Sequence, residues 1–457
     1  MGKTLQEVEA LIPNLVNIKS QIRQAIIDKG VEIPQDSSLC DYAGYIDLIL
    51  PSGVYLLDYI AKNGNSYFDL GFSLNTTDVV EIKHSASTMT ALNPLFGTIN
   101  STNNRYVYYN RVRPCILIGS ENMNYSTDIT GDATAVMNVY NSTTLKLRFD
   151  DRTDSKNTTI DTSTNPYNVF LFGLNRQGSL DNNQPCEQGA KFYYMKVTNS
   201  NVLLHFIVPV LKNGVPCLYD LVTSAYIYHT GETTPSYKLS KYQLLDWIGN
   251  GESETANTRG NVSFGTGINM LTAMNYEYNT KVKPGSNYNG KTYNEGILFG
   301  GTWRDEEAAI TYKNGMYMPY NGGSANGYIG WKEHSQNSSI EKVNFNNIYK
   351  VSTYVPNGDS NRYINLNGAL SSSKVSVGSD SYKNNIELCI FATQFQSAWK
   401  GCKFYYFTIS DNDQCPKPIR SYVPILYKNI PCMYDLKSKS IIYNSFTGFT
   451  PTYGELS

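Results

Sequence analysis

The pattern of apolar positions divides the chain into a short helical start and a long β region. Near the N-terminus, apolar residues follow one another at steps of three or four positions, interrupted at Lys19: Leu5, Val8, Ile12, Leu15, Ile22 and Ile26. This spacing places them on one face of a helix and predicts a seam like that of a coiled coil. Thr4 and Glu7 form a capping-box sequence, which favours a helix start at this point.

The seam has two interpretations: it packs on its own chain, or it joins copies of the chain and anchors them. Isolated helices of this length are marginal in water, so partners are expected and the second interpretation is favoured. Pro13 either opens a second helix or kinks a continuous one. A further short helix is predicted over residues 39–49, capped by Ser37 or Ser38. Mixed Ile and Leu at the core positions leave dimer and trimer open.

From Val54 onward, apolar and polar residues alternate in short runs that are separated by Asn, Ser, Thr and Gly. TLKLRFDD (144–151) and NVLLHFIVP (201–209) are clear examples. A period of two is typical of strands with one buried face, and the separating residues favour turns. The chain also has 37 Tyr and 17 Phe, which suit pleated, half-exposed surfaces. The pattern therefore predicts a mainly β protein.

The β region contains one pattern twice. The repeated segments are LLDYI (56–60) and LLDWI (244–248), LFG (95–97) and LFG (298–300), KFYY (191–194) and KFYY (403–406), and PCLYDL (216–221) and PCMYDL (431–436). A single sheet would leave one apolar face uncovered, so each copy is predicted to be a two-sheet jelly-roll sandwich. Asp220 and Asp435 precede the final leucine of the pattern at a turn, where capping the backbone accounts for them.

The repeat sets the domain organisation. We predict a helical segment over residues 1–52, a first jelly-roll domain over 53–239 and a second over 240–457, with a linker near residues 238–241. With 41% apolar and 17% charged residues, the chain has enough apolar material for such cores.

Charge and hydropathy exclude several classes of partner. Thirty-eight basic and 39 acidic residues give a net charge of −1, which does not suit nucleic acid binding. No apolar run is long enough to cross a membrane, and Glu7 and Glu9 do not fit a signal peptide. The eight cysteines lie far apart, so free thiols in a reducing compartment are expected rather than zinc sites. Cys217 and Cys432 occupy the same repeat position, which is typical of small buried hydrophobes.

No catalytic constellation stands out. The chain has four histidines, no Gly-x-Ser-x-Gly elbow and no His-Glu-x-x-His helix. Its acidic clusters fall in turn-like contexts rather than on one strand face. We therefore expect no enzyme activity, cofactor or metal.

Sugar binding does not require a catalytic constellation. It requires an exposed aromatic ring with polar groups around it. Trp303 and Trp331 are flanked by glycine and charged residues, and Tyr108 and Tyr109 offer rings in the first copy. These four residues are the candidate glycan platform. The alternative is that the rings pack inside the sandwiches or in cross-strand pairs.

The repeated pattern LFG, KLRFD, KFYY, VP and PCxYDL resembles concanavalin A-like, laminin-G-type jelly rolls over about 400 residues. Together with the N-terminal segment, which is similar to a short helical module found before such domains, the chain most resembles head fibre proteins of crAss-like Bacteroides phages. The resemblance implies a structural, homo-oligomeric virion protein that is assembled in the host bacterial cytoplasm. It further implies docking on phage capsid proteins through the N-terminal end, with β domains that touch bacterial surface polysaccharide.

Three alternatives stay open on the same fold. A tail fibre or receptor-binding protein has the same modules. A polysaccharide depolymerase has catalytic activity in addition, and a bacterial adhesin is exported from the cell. The absence of a predicted signal peptide argues against the adhesin.

Overall fold

The computed structural model describes residues 5–27, 33–42, 53–101, 104–160, 165–250, 264–269, 276–284, 295–305, 310–319, 326–334, 336–344, 347–356, 359, 361–376, 387–391, 401–443 and 451–456. One α-helix, α1, spans Leu5–Ile27, and a 3-10 turn spans Leu39–Asp41. All other regular elements in these ranges are β-strands.

The strands before the junction are β1 (Val54–Ala61), β2 (Tyr67–Asp69), β3 (Val79–Ser85), β4 (Pro94–Ser101), β5 (Asn104–Tyr109), β6 (Cys115–Ile118), β7 (Glu121–Asn124), β8 (Asp132–Tyr140), β9 (Thr144–Phe149), β10 (Arg152–Asn157), β11 (Phe170–Leu171), β12 (Asn175–Arg176), β13 (Ser179–Leu180), β14 (Lys191–Asn199), β15 (Val202–Lys212), β16 (Val215–Asp220) and β17 (Ala225–Thr230). The junction is β18 (Ser236–Gly249).

The strands after it are β19 (Phe264–Asn269), β20 (Tyr276–Lys283), β21 (Glu295–Asp305), β22 (Ile310–Pro319), β23 (Asn326–His334), β24 (Gln336–Asn344), β25 (Tyr349–Tyr354), β26 (Asn361–Leu366), β27 (Ala369–Ser376), β28 (Glu387–Ile390), β29 (Lys403–Asp411), β30 (Pro418–Tyr427), β31 (Ile430–Asp435), β32 (Ser440–Ile442) and β33 (Thr452–Glu455).

The first sandwich consists of two antiparallel sheets. Its inner sheet has the order β10-β9-β8-β3-β14-β15-β16-β17. Its outer sheet has the order β7-β6-β5-β4-β11-β2. Side chains from both sheets, such as Met195 and Phe96, fill the core between them. Both faces of the inner sheet are buried at its centre, because the face turned away from this core meets the second sandwich.

The second sandwich repeats this order strand for strand. Its inner sheet runs β27-β26-β25-β20-β29-β30-β31-β32 and its outer sheet runs β24-β23-β22-β21-β28-β19. Phe407 from the inner sheet and Phe299 from the outer sheet lie in its core. The predicted fold class is therefore confirmed: the chain is mainly β, with two tandem jelly-roll sandwiches preceded by a helix.

Several short sequence motifs lie in hairpins. The segments that contain the two LFG motifs form the hairpins β4–β5 and β21–β22. Asn367 and Gly368 connect β26 and β27 with positive φ angles of 54° and 92°, which are the angles an Asn-Gly hairpin turn requires.

The predicted linker is wrong. Residues 238–241 lie inside the fourteen-residue strand β18, where Lys238 and Leu239 pair with β1. The same strand continues to Leu244 and Ile248, which pair with β30 and β29. One continuous strand thus serves both sandwiches, because its backbone groups find partners in each. The division at residues 239 and 240 stays a prediction.

The N-terminal helix is continuous and includes Pro13, so the proline does not open a second helix. A short turn caps at Ser38, whose backbone N–H and hydroxyl both donate to the Asp41 carboxylate at 2.8 and 2.7 Å. The rest of the second predicted helix, residues 43–49, lies outside the described residues.

Asp220 and Asp435 hold the turn at the end of the repeated pattern in each sandwich. The carboxylate of Asp220 accepts the backbone N–H groups of Phe206 and Val222 at 3.0 Å each. Asp435 accepts the corresponding N–H groups of Ser421 and Lys437 at 2.9 and 3.1 Å. The predicted capping role is confirmed for both residues.

The surroundings of Asp220 determine its protonation. His205 Nδ1 lies 2.8 Å from its Oδ2, and Thr223 donates to the same oxygen at 2.7 Å. Burial alone raises the pKa of Asp220, but hydrogen bonds from His205 and the Phe206 amide outweigh burial and lower the pKa below its usual value. The charged form is therefore the one that the fold stabilises.

We expect Asp220→Asn to destabilise the protein by about 2 to 4 kcal/mol at pH 7, because buried donors lose a charged acceptor. A carboxyl with a lowered folded pKa stabilises the fold above its unfolded pKa of about 3.9 and loses this effect as pH falls further. The loss caused by the substitution should therefore shrink below that pH, as measured by urea unfolding. Asp128→Asn, in an exposed pair with Arg113, is the control and should cost less than about 1 kcal/mol. An equal loss for both variants would contradict the capping role.

Candidate functional site

The repeated pattern forms the contact between the two sandwiches. In KFYY, Phe192 points into the first core, whereas Tyr193 and Tyr194 lie in a separate apolar cluster on the opposite face. In the second copy, Phe404 points into the second core, and Tyr405 and Tyr406 join that same cluster. The cluster contains residues from both inner sheets, so the two sheets pack against each other with the faces that lie outside the two cores.

Aromatic rings meet at the centre of this contact, which we call the inter-sandwich interface. The ring centroids of Phe206 and Tyr406 lie 5.9 Å apart, and those of Phe206 and Tyr194 lie 6.3 Å apart, both edge to face. Cys217 and Cys432 are fully buried beside them. Burial raises the pKa of these thiols to about 11 and about 12, so both act as small hydrophobes, as predicted.

Two buried lysines cross the interface in equivalent ways. Lys83, on β3, donates to the carbonyl oxygens of Leu436 and Lys437 at 3.2 and 3.0 Å. Lys281, at the corresponding place on β20, donates to the carbonyl of Leu221 at 3.3 Å and to that of the next residue. Each lysine therefore binds the turn that follows the Tyr-Asp-Leu motif of the other sandwich. Burial lowers the pKa of both ammonium groups.

A buried ion pair adds to this arrangement on one side only. Lys196 lies 2.7 Å from the Glu81 carboxylate and donates to the Ser421 hydroxyl of the second sandwich at 2.9 Å. The position equivalent to Lys196 is Thr408, so the second copy has no corresponding charge. The interface is therefore nearly symmetric in its apolar contacts and its crossing lysines, and asymmetric in this ion pair.

The hairpin between β29 and β30 extends the interface at one end. Arg148 of the first sandwich lies 2.9 Å from the Asp413 carboxylate and donates to the Cys415 carbonyl at 2.6 Å. Asn138 donates to the Gln414 carbonyl at 2.7 Å. Because Arg148 is almost completely buried, its charge is neutralised inside the contact rather than by solvent.

Glu277 is a buried acid on β20 of the second sandwich. Its carboxyl is buried, and burial together with the nearby Asp411 charge raises its pKa to about 8, although Arg362 acts in the opposite direction. Glu277 therefore gains a proton on folding at neutral pH. Such a group makes stability depend on pH.

The predicted glycan platform is wrong for three of its four residues, because their rings are buried. Trp331 lies in the second core with the Arg362 guanidinium 4.2 Å from its ring centroid. Tyr108 is also fully buried, and its hydroxyl lies 2.8 Å from His84 Nε2. Tyr109 is buried, and its hydroxyl donates to Gln184 at 2.9 Å. These three rings cannot stack on a sugar; the Trp303 side chain lies outside the described residues.

The predicted seam of α1 divides into two parts. Ile22 and Ile26 pack on Ile33 and Tyr42 of the same chain, and Lys19 interrupts the apolar pattern because its ammonium lies over the Tyr42 ring at 5.9 Å. Ile12 and Leu15 are instead 52% and 59% exposed. The side chains of Leu5 and Val8 lie outside the described residues.

Two of the four histidines, His84 and His205, pack against other side chains within the fold. His84 is buried and its pKa falls to about 4 through desolvation, so it stays neutral at physiological pH. His205 stacks on Phe72 with centroids 3.8 Å apart and contacts Asp220. Within the described ranges, no three His, Cys, Asp or Glu side chains are placed to hold a metal ion. No helix among the described residues is long and apolar enough to cross a membrane.

Comparisons with known proteins concern the fold. No protein-family model matches the chain, and no curated protein sequence matches it. Among solved structures, it is similar to domains LG4–5 of the mouse laminin α1 chain, with 8% identity and a TM-score of 0.28 over 81% of this chain and 94% of that chain. It is also similar to the LG1–3 region of the laminin α2 chain, with 9% identity and a TM-score of 0.26 over 81% of this chain and 64% of that chain. The two sandwiches themselves are defined by the strand order of this chain.

Replacing both crossing lysines should separate the unfolding of the two sandwiches. In Lys83→Met with Lys281→Met, the carbonyls of both turns lose their donor, at a cost of about 1 to 3 kcal/mol for each site. Scanning calorimetry should show one transition for the wild type and two for the double variant. Lys156→Met, in a half-exposed pair with Glu121 away from the interface, is the control and should keep one transition. A single transition at the wild-type temperature in the double variant would disprove the coupling.

Glu277→Gln should stabilise the protein in alkaline solution. An acid with a raised folded pKa loses stability as pH rises from its unfolded value of about 4.3 to its folded value of about 8. The variant should therefore match the wild type near pH 4 and exceed it at pH 9 by up to about 5 kcal/mol in urea unfolding. The exposed acid Glu232 provides the control variant Glu232→Gln, which should show no such difference. A variant less stable than the wild type at pH 9 would rule out this role of burial.

Proposed function

We propose that this protein is a non-catalytic, homo-oligomeric appendage protein: the N-terminal helix joins copies and anchors them, and the paired sandwiches form a displayed body that binds surface glycans. The observation that carries the proposal is the exposed apolar part of α1. Leu11, Val16 and Ile18 are exposed beside Ile12 and Leu15, so the stripe has no cover from its own chain among the described residues. An apolar stripe of this size on a helix favours association.

The occupant of the stripe is a second copy of the same helix. Apolar residues at positions 8, 12 and 15 follow the heptad spacing that lets identical helices pack together. The opposite face of the helix carries Asn14, Asn17 and Gln21, which are exposed and polar. A two- or three-stranded bundle of α1 buries the first face and leaves the second in water.

The particular appendage that we propose is a phage head fibre. Its helical end docks on capsid proteins of the virion, and its sandwiches point towards bacterial surface polysaccharide. The support is the resemblance of the repeated pattern and of the N-terminal module to such fibres. A tail fibre has the same modules and differs in its attachment point, which labelled particles in electron micrographs distinguish.

The helix is tested by a pair of matched double substitutions in the full chain. Ile12→Glu with Leu15→Glu places two charges on the apolar stripe, and Asn14→Glu with Asn17→Glu places the same charges on the polar face. In sedimentation velocity we expect the first variant to be a monomer and the second to stay a dimer or trimer like the wild type. Glutamate forms helix about as well as the leucine it replaces and better than the isoleucine and the asparagines, so a loss of helix does not explain a difference. A monomeric wild type, or an unchanged first variant, would refute the proposed assembly.

A further inference from the structure

The inter-sandwich interface has two ends that the repeat makes equivalent. At one end, the hairpin that links β29 and β30 through residues 412–417 contacts β8 and β9 of the first sandwich. At the other end, the hairpin that links β14 and β15 through residues 200–201 contacts β25 of the second sandwich, where the Asn201 side chain hydrogen-bonds to Tyr354. We call these the hairpin end and the tyrosine end. The hairpin at the tyrosine end is shorter and therefore covers less of the opposite sheet.

Three polar side chains of the first sandwich bind the β29–β30 hairpin. Arg148 forms an ion pair with Asp413 at 2.9 Å. The Asn138 amide donates to the Gln414 carbonyl at 2.7 Å, and the Lys146 ammonium donates to the Gln414 side chain. Charged and amide groups from both sandwiches therefore close the hairpin end.

Two buried oxygens at the tyrosine end have no such partner. Val136 pairs with Arg148 across β8 and β9. At the equivalent place, Ser352 pairs with Asn365 across β25 and β26, so Asn365 replaces Arg148. The Ser352 hydroxyl and the Asn365 side-chain oxygen are buried, and neither has a hydrogen-bond partner among the described residues. Because unpartnered buried oxygens are uncommon and costly, these two are candidates for hydrogen bonds to a ligand.

Two tyrosines lie beside these oxygens. Tyr354 pairs with Tyr363 across β25 and β26, and the equivalent pair in the first sandwich is Asn138 with Lys146. The ring centroids of the two tyrosines lie 5.9 Å apart, with an angle of 22° between the ring planes. Both side chains are half-buried, so part of each is open to solvent, and the Tyr363 hydroxyl donates to the Asp359 carboxylate at 2.8 Å. The tyrosine end therefore combines aromatic surface with polar groups.

The tyrosines and the two oxygens share the sheet face that points towards the first sandwich. Val351 and Ile364 lie in the second core. Side chains alternate along a strand, so their neighbours Ser352 and Asn365 point to the opposite face. The tyrosines lie two positions away on the same strands and point the same way. All four side chains are therefore placed to contact one ligand.

The chemistry of this face suits a saccharide. The side-chain oxygen of Asn365 needs a hydrogen-bond donor, and the Ser352 hydroxyl both donates and accepts. Sugar hydroxyls do both, and tyrosine rings offer an apolar face to the C–H groups of a sugar ring. Binding sites for small ligands are also common where two domains meet.

We infer that the tyrosine end is a saccharide-binding cleft between the two sandwiches, in which Tyr354 and Tyr363 contact the sugar ring and Ser352 and Asn365 bind its hydroxyl groups. The inference rests on the proposed glycan-binding function and adds to it the location of the site and the residues that form it.

A ligand reaches the two buried oxygens when the sandwiches separate slightly at this end. The contact between Asn201 and Tyr354 is a neutral hydrogen bond, which is weaker than a charge-assisted contact such as that of Arg148 with Asp413. The tyrosine end therefore opens more easily than the hairpin end, while the crossing lysines hold the centre of the interface together.

The location is tested by affinity electrophoresis of the full chain in gels that contain dextran, mannan or bacterial capsular polysaccharide. Tyr354→Ala with Tyr363→Ala removes both rings of the cleft. Tyr228→Ala with Tyr237→Ala, at tyrosines that are 50% and 42% exposed, is the matched control. At least one polymer should retard the wild type and the control, and the same polymer should not retard the cleft variant. Circular dichroism checks that both variants fold.

Ser352→Ala separates a ligand contact from a structural role. Because the Ser352 hydroxyl has no partner among the described residues, its removal should leave the urea midpoint unchanged or raise it. Binding of the retarding polymer should nevertheless weaken by about tenfold, which is what the loss of one good hydrogen bond predicts. Weaker binding together with a lower urea midpoint would assign the hydroxyl a structural role and overturn its place in the cleft.

The remaining outcomes distinguish this inference from the function on which it rests. Equal retardation of the wild type and the cleft variant overturns the location but keeps glycan binding. No retardation of the wild type by any of the three polymers overturns both the inference and the glycan-binding part of the proposed function, while sedimentation still tests assembly.

Discussion

The packing of the two inner sheets against each other is the contact on which the rest of the structure depends. An inner sheet of an ordinary sandwich has one face in the core and one in water, and its strands then alternate strictly. Here the face of each inner sheet that points away from its own core is also apolar. Tyr194, Phe206 and Val208 of the first sandwich meet Tyr406 and Val423 of the second. This second buried face needs an apolar partner, which the other copy of the repeat provides.

The polar groups at this contact restrict the two sheet faces to one packing arrangement. Asp220 and Asp435 fix the turns after the Tyr-Asp-Leu motifs, and these turns supply the carbonyls that Lys281 and Lys83 bind from the opposite sandwich. Apolar faces alone tolerate sliding, whereas a buried ammonium must meet its acceptors. The turns, the lysines and the rings therefore act together.

Much of the architecture could be predicted because it is local or repeated. Alternation predicted the strands, and the repeat predicted two copies of one sandwich, down to the capping role of Asp220. The prediction of the glycan platform was wrong because the glycine and charged residues beside Trp331 do not reveal that Arg362 covers its ring. Burial of that kind depends on residues far apart in sequence. The prediction of a linker was wrong for a similar reason, since only the pairing of Lys238 with β1 shows that β18 continues through this segment.

The second buried face of the inner sheet leaves a signal in the sequence. In KFYY, both Tyr193 and Tyr194 follow Phe192 without a polar residue between them, which is typical of a strand buried on both faces. Native-state hydrogen exchange of the amides in β14 and β15 and in β29 and β30 tests the central claim most directly. If the two sandwiches unfold as one unit, both pairs of strands exchange with the same free energy of opening and the same denaturant dependence. Two different free energies would show that the sandwiches open independently and would contradict the account.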